Sequence, residues 1–302
     1  MILQMIRGSY TWQFNVENGG YSGATVYVTG AINWGEPPIT RITQRGPFQN
    51  GDTDIDYRIN PRVINLPIVV PGSQYDEMMN NREKLMQMFK PGNDTIILEH
   101  ILNETSIPAY QTRRRIELKI AGGLQMDSLP GEFNIRTVVQ LRAADPTWYD
   151  SNQKSLQLTN TIFGTPTPYP KPYPVPYGSA SIDNFQTVAY YGTVVTRPII
   201  QVYGPVTNLF VVDGLGHQIN LTQSVPSADI WTIDLRDGYK TIVDQNGVNK
   251  FSALSITSDI VNWGIFPEPI IPYGANTISV SGTGTSGITA VYALYYDRYA
   301  GI

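Results

Sequence analysis

The ten residues Phe133-Asn-Ile-Arg-Thr-Val-Val-Gln-Leu-Arg142 decide the fold class. Phe133, Ile135, Thr137, Val139 and Leu141 alternate with Asn134, Arg136, Val138, Gln140 and Arg142. A two-residue period is that of a strand with one face in a core and the other in water. Ile116, Leu118 and Ile120 alternate in the same way with Arg115, Glu117 and Lys119. Further strands are predicted over residues 25–32, 63–70 and 95–102. Pro67 has no N–H for a ladder, so 63–70 is expected to be an edge or bulged strand.

One stretch departs from the alternation. Residues 73–89 read as a helix, with Ser73 capping and Asp76 answering three residues later. Tyr75, Met78, Met79, Arg82, Leu85, Met86 and Phe89 fall near helical spacing, and Pro91-Gly92 ends the run. Its methionines are expected to pack on a sheet rather than form an adaptable binding groove.

The composition agrees with a β-rich chain. The 302 residues suggest two domains at about 150 residues each. Charged residues make up only 15%, against a usual figure of about 25%. There are 27 glycines, 22 prolines and 19 tyrosines, the profile of many turns joining strands. The absence of cysteine excludes disulfides, thiolate zinc sites and a cysteine nucleophile. A net charge of −4 argues against a general grip on nucleic acid. No apolar run reaches the roughly 18 residues of a membrane span. Residues 1–12 show no secretory pattern, so synthesis in the cytoplasm is expected.

After Asp145-Pro-Thr-Trp-Tyr-Asp150 the texture changes. Residues 165–177 read TPTPYPKPYPVPY, proline at every second position. Such a run cannot pair inside a sheet, and an extended, exposed arm is expected over 164–178. It is either a stiff connector or a contact surface carried by Tyr169, Tyr173 and Tyr177. Short strands return at 199–203, 209–212, 218–222, 230–235, 241–244, 254–257, 277–281 and 288–296. Asp213-Gly214, Asp237-Gly238 and Asn246-Gly247 punctuate them as turns. The boundary between two domains, 1–150 and 151–302, is placed here.

Gly282-Thr-Gly-Thr-Ser-Gly287 matches a dinucleotide fingerprint in letters but joins two predicted strands, so a hairpin loop is expected. Asp52, Asp54 and Asp56 open like a calcium loop, but Tyr57 and Val63 stand where glycine and glutamate belong. They read as one solvated face of an extended segment. Arg113-Arg114-Arg115 reads as a charged start to an edge strand, or as one side of an intersubunit ion pair. His100 and His217 are the two histidines, and no nucleophile elbow accompanies either. No catalytic, cofactor-binding or metal residue is assigned, and no cofactor is expected. Two functions compete: a carbohydrate-binding module using exposed aromatics such as Trp231 or Trp263, although Trp231 sits in an alternating strand and reads rather as core, and a hydrolase needing two carboxylates in one cleft.

Several short motifs stand in a particular order. Arg62-Val-Ile-Asn-Leu-Pro-Ile-Val-Val70 precedes Asn81-Arg-Glu-Lys-Leu85 and Phe89-Lys-Pro-Gly92. Ala143-Ala-Asp-Pro-Thr-Trp-Tyr149 follows the long strand. Gly192-Thr-Val194, Arg197-Pro-Ile-Ile-Gln-Val-Tyr-Gly204, Trp231-Thr-Ile-Asp234 and Pro272-Tyr-Gly-Ala-Asn-Thr-Ile278 complete the series before an aromatic stretch at 292–299. In this order and spacing the chain resembles the distal tail protein family of long-tailed bacteriophages with non-contractile tails. The resemblance implies a mainly β fold: a tail-tube-like β-sandwich or barrel with one helix, then a galectin-like β-sandwich. It implies no enzymatic activity. It also implies a structural protein of the virion, a hexameric ring at the distal end of the phage tail, made in the host cytoplasm. Its partners would be five copies of itself, the tail tube protein, the tail tip or hub protein and receptor-binding or baseplate proteins. DNA would pass through the lumen without specific binding, and no membrane would be involved.

Overall fold

A computed structural model describes residues 2–15, 25–29, 34–101, 113–124, 126, 133–159, 162–163 and 181–302. The 164–178 run, with Tyr169, Tyr173 and Tyr177, lies outside the described residues. The fold is mainly β, with one α-helix among the described residues. The chain forms two compact units: Met1–Ser151 with Tyr299–Ile302, and Asn152–Arg298. The last four residues therefore belong to the first unit, not to the second as a cut at 150/151 implies.

The first unit contains β1 (Ile2–Arg7), β2 (Tyr10–Gln13), β3 (Tyr27–Val28), β4 (Ile39–Gln44), β5 (Thr53–Ile59) and β6 (Arg62–Pro71). The helix α1 (Tyr75–Met88) follows, then β7 (Ile96–Ile101), β8 (Arg113–Ile120), β9 (Asn134–Ala143) and β10 (Trp148–Asp150). The main sheet runs β2-β1-β7-β8-β9-β6-β3, with β10 beside β8. In β9 every second residue from Ile135 to Ala143 is buried, as the alternation requires. The inward residues Ile64, Leu66, Ile68, Ile116, Leu118, Val139 and Leu141 form one cluster with Leu3, Met5, Trp12 and Trp148.

Three local expectations need correction. Strand β6 is neither bulged nor at the edge: it pairs with β9 without a break from Arg62↔Ala143 to Pro71↔Asn134. The Pro67 carbonyl accepts from the Thr29 N–H (3.1 Å), so the proline nitrogen faces β3 and the β9 ladder loses nothing. Helix α1 starts after Gln74, which makes no side-chain cap, and Glu77 rather than Asp76 accepts from both the Ser73 N–H and its hydroxyl. The buried stripe is Met78, Asn81, Leu85 and Met88, while Tyr75 and Met86 point to solvent. Met78 and Met88 pack in the core cluster with the sheet residues and Met79 lies against it, whereas Met86 does not take part. Finally, the arginine run does not open an edge strand, because β8 lies between β7 and β10 along Arg114–Arg115.

The second unit is a sandwich of two five-stranded sheets. Its strands are β11 (Lys154–Gln157), β12 (Ile162–Phe163), β13 (Ser181–Ala189), β14 (Ile199–Tyr203), β15 (Thr207–Val212) and β16 (Gln218–Leu221). They continue with β17 (Ile230–Asp234), β18 (Thr241–Asp244), β19 (Ala275–Thr283) and β20 (Ala290–Tyr295), while the short β21 (Arg298–Tyr299) pairs with β10 of the main sheet. One sheet runs β11-β20-β14-β17-β18 and the other β12-β13-β19-β15-β16. Ile200, Val202, Ile233 and Val291 from the first meet Leu209, Val211, Ile278 and Val280 from the second in a single core.

The predicted 254–257 strand is absent: Ile256 is fully exposed there, after a short 3-10 turn Phe251–Ala253. Strand β13 was not anticipated at all. The Gly282–Gly287 motif is not a hairpin loop, since β19 and β20 lie in different sheets. No helix follows it, so the phosphate-binding context is missing.

Candidate assembly surface

Among the described residues no group of three or more His, Asp or Glu side chains is arranged to hold a metal ion. The two tryptophans proposed as sugar platforms are buried, Trp231 at 2% exposure and Trp263 at 0%. The Trp263 indole N–H donates to the Val211 carbonyl (3.2 Å) inside the sandwich. A sugar cannot stack on either ring. His217 is paired by Nδ1 with the buried Asp213 carboxylate at 2.8 Å, and that carboxylate also accepts from the backbone of Leu215, His217 and Gly264. This fastens a turn to the core of the sandwich.

The C-terminal residues are held by two arginines of the first unit. Arg62, 2% exposed, donates to the carbonyls of Pro146 (3.1 Å), Gly35 (2.6 Å) and Ala300. Burial pushes its guanidinium below the usual arginine range, and the three carbonyls replace its lost hydration. Arg114 donates to Gly301 O (2.8 Å) and lies 3.9 Å from the centre of the Tyr299 ring. Arg115 pairs with the buried Glu99 at 2.7 Å. Arg114 and Arg115 are thus engaged within the chain rather than held for an intersubunit ion pair.

Strands β4 and β5 present the opposite situation. Among the described residues they pair only with each other, Ile39↔Ile59 through Gln44↔Thr53, with one irregularity after Ile42. All seven residues of β5 are exposed, and so are all of β4 except Ile42. Cross-strand partners share a face, so Ile39, Ile59 and Tyr57 line one side beside Arg41, with Ile55 two residues further along the strand. Ile55 and Tyr57 are 59% and 55% exposed. Asp52, Asp54 and Asp56 lie on or beside β5, an extended solvated segment as expected, and Arg41 reaches Asp54 at 3.5 Å. A two-stranded ribbon is marginal in water unless a further layer covers it. Among the described residues nothing covers this apolar face, and exposed apolar patches are the kind of surface that partners cover. Strand β4 is not among the strands predicted from the sequence, and β5 is anticipated only as the extended segment around Asp52, Asp54 and Asp56.

Comparison with solved structures finds a likeness of fold along nearly the whole chain. It is similar to the SPP1 Dit (gp 19.1) protein, described as a paradigm of the hub adsorption apparatus in phages infecting Gram-positive bacteria: TM-score 0.62, 13% identity, 99% of both chains covered. The match shows a shared fold. The phage P2 baseplate in its activated conformation with Ca also aligns, at TM-score 0.41 and 12% identity over 98% of each chain. No protein-family model matches the sequence, and no curated protein matches it either.

Proposed function

We propose that this protein is a non-enzymatic structural component of a phage tail, forming a homo-oligomeric ring at its distal end. The observation that carries the reading is the shared fold with the SPP1 hub protein along the whole chain, both units included. The uncovered β4–β5 hairpin supplies the means of association. A protruding apolar arm on one surface and its receptor on another make a heterologous contact, which closes into a ring when the rotation allows. Six copies would continue the lumen of the tail tube. The first unit would act as the tube-like part and the second as a galectin-like sandwich projecting outward. The ring would join the tube protein to the tip or hub and anchor receptor-binding or baseplate proteins, in the virion.

Support for the sugar-binding alternative falls with the burial of Trp231 and Trp263. Galectin-like describes a fold, and a fold alone does not establish ligand binding.

Electron microscopy of the purified protein, combined with mass measurement in solution, tests the reading. Rings with a central hole and a mass six times 33.6 kDa are expected. A protein that stays monomeric at high concentration, alone and in the presence of tail tubes, overturns it.

A further inference from the structure

Residues 299–302 are laid as a strap on the first unit. The Ile302 N–H donates to Trp34 O (3.1 Å), Arg114 to Gly301 O (2.8 Å) and Arg62 to Ala300 O. Tyr299 is buried, with the Arg114 guanidinium over its ring. The seat at Gly301 is tight: a Cβ there would stand 2.8 Å from Trp34 O and 3.1 Å from the Gly35 carbonyl. A residue without a side chain is what lets the two backbones approach so closely.

The strap shares two neighbours, Trp34 and Arg114, with a buried histidine. Cross-strand partners lie on one face, so the registers Leu3↔His100, His100↔Arg114 and Arg114↔Asp150 set these residues in a single row across β1, β7, β8 and β10. Glu99 belongs to the other face, where it bonds to Gln4 and Arg115. His100 is 6% exposed. Its ring centre lies 5.5 Å from that of Trp34, which lies 5.4 Å from that of Trp148. Trp34 therefore touches His100 with its ring and holds the strap with its carbonyl.

The charges around the row favour a neutral imidazole. Arg114 stands beside it on β8, its own charge supported by Tyr299 of the strap and Asp150 of β10. β1 contributes the apolar Leu3, and from β6 Arg62 reaches the strap. Burial first, then Arg114 and the amino terminus, push the His100 imidazole below its ordinary value.

We propose that His100 is an acid-sensitive latch: protonation of its imidazole, inside the unit and beside Arg114, releases residues 299–302 from Trp34 and Arg114. With the strap lifted, the two shared neighbours no longer enclose the ring and water reaches it. The open state then holds a histidine of ordinary pKa, about 6.5. The closed state holds one of lower pKa, so its stability is complete at neutral pH. As pH falls below about 6.5 the open state takes up a proton that the closed state refuses, and closure weakens until the folded value is passed. Between pH 7 and pH 5 the opening equilibrium can rise by at most about 25-fold, the limit for a closed form that stays neutral.

Amide hydrogen exchange on the full chain, corrected for the intrinsic pH dependence of exchange, reads closure at the Ile302 N–H. Its protection should fall about 10- to 25-fold from pH 7 to pH 5, while Ile97 and Leu98 inside β7 keep theirs. Equal protection at both pH values overturns the proposal. So does a parallel loss in β7, which is unfolding of the unit rather than release of the strap. His100→Gln should remove the fall, and His217→Gln, at the chain's other histidine, should leave it intact. A fall that survives His100→Gln overturns the assignment to this residue. Gly301→Ala tests the same coupling with the imidazole kept, and decides the matter should His100→Gln not fold. A strap forced off its seat must let His100 titrate closer to its ordinary value, because coupling is reciprocal. Proton NMR of the imidazole should show its midpoint moved upward from the wild type. An unchanged midpoint alongside lost Ile302 protection overturns the latch.

Discussion

Two hairpins of this protein are built alike and end differently. β15–β16 places Leu209, Val211, Ile219 and Leu221 within 1% of full burial, because a second sheet lies across them. β4–β5 carries Ile39, Ile55, Tyr57 and Ile59 in a comparable arrangement and buries none of them. Both have apolar residues and antiparallel register, so neither property decides whether a hairpin belongs to a core. What decides is a facing layer. In one case the chain provides it, and in the other the proposed ring would.

The comparison breaks most severely if the covered side is damaged. Trp263→Ala should cost about 3–5 kcal/mol, since it empties the sandwich centre and removes the donor to Val211 O. Thermal unfolding followed by intrinsic fluorescence measures it. Arg62→Ala should cost about 2–4 kcal/mol by removing a buried side chain that donates to the partly buried carbonyls of Gly35, Pro146 and Ala300. Protease susceptibility should then rise in the first unit, and at the 299–302 end with it.

The uncovered hairpin should answer in the other direction. Ile55→Ser with Tyr57→Ser should change monomer stability by no more than about 0.5 kcal/mol, because neither side chain is packed within its own chain. The same pair should abolish association in sedimentation. A large loss of monomer stability would place the hairpin with β15–β16 and end the contrast.

The smallest effect concerns an ion pair at the surface of the first unit. Hydrogen bonding to Arg7 holds the Asp94 carboxyl below its ordinary value. A lowered folded pKa adds stability above the unfolded value of about 3.9, lost as pH falls through the folded one. Asp94→Asn should therefore lower Tm slightly at neutral pH, and the difference should vanish in acid. Melting curves from pH 7 to 2.5 check it.

Much of the fold was legible in particular residues. The alternation of 133–142 named β9 and its buried face, and the turns at Asp237-Gly238 and Asn246-Gly247 fall where the backbone takes positive φ at each glycine. Other elements left weaker traces. β13 mixes Asn184, Gln186 and Thr187 with few apolar residues, so no two-residue hydrophobic period announced it. Pro67 misled because a missing N–H matters only on the side it faces. Trp263 illustrates the same limit for a candidate site, since the identity of an aromatic residue does not state its depth, whereas the alternation around Trp231 already favoured the core.

By itself the sequence determined the β class, the single long helix, the shortage of charge and the alternating prolines of 165–176. These are properties of neighbours along the chain, set by side-chain period, backbone torsion and the presence of an N–H. Only the tertiary structure decided which apolar faces are covered and that residues 299–302 close the first unit through Arg62 and Arg114. Those depend on which segments distant in sequence meet, because burial and hydrogen-bond satisfaction belong to pairs of segments rather than to either one.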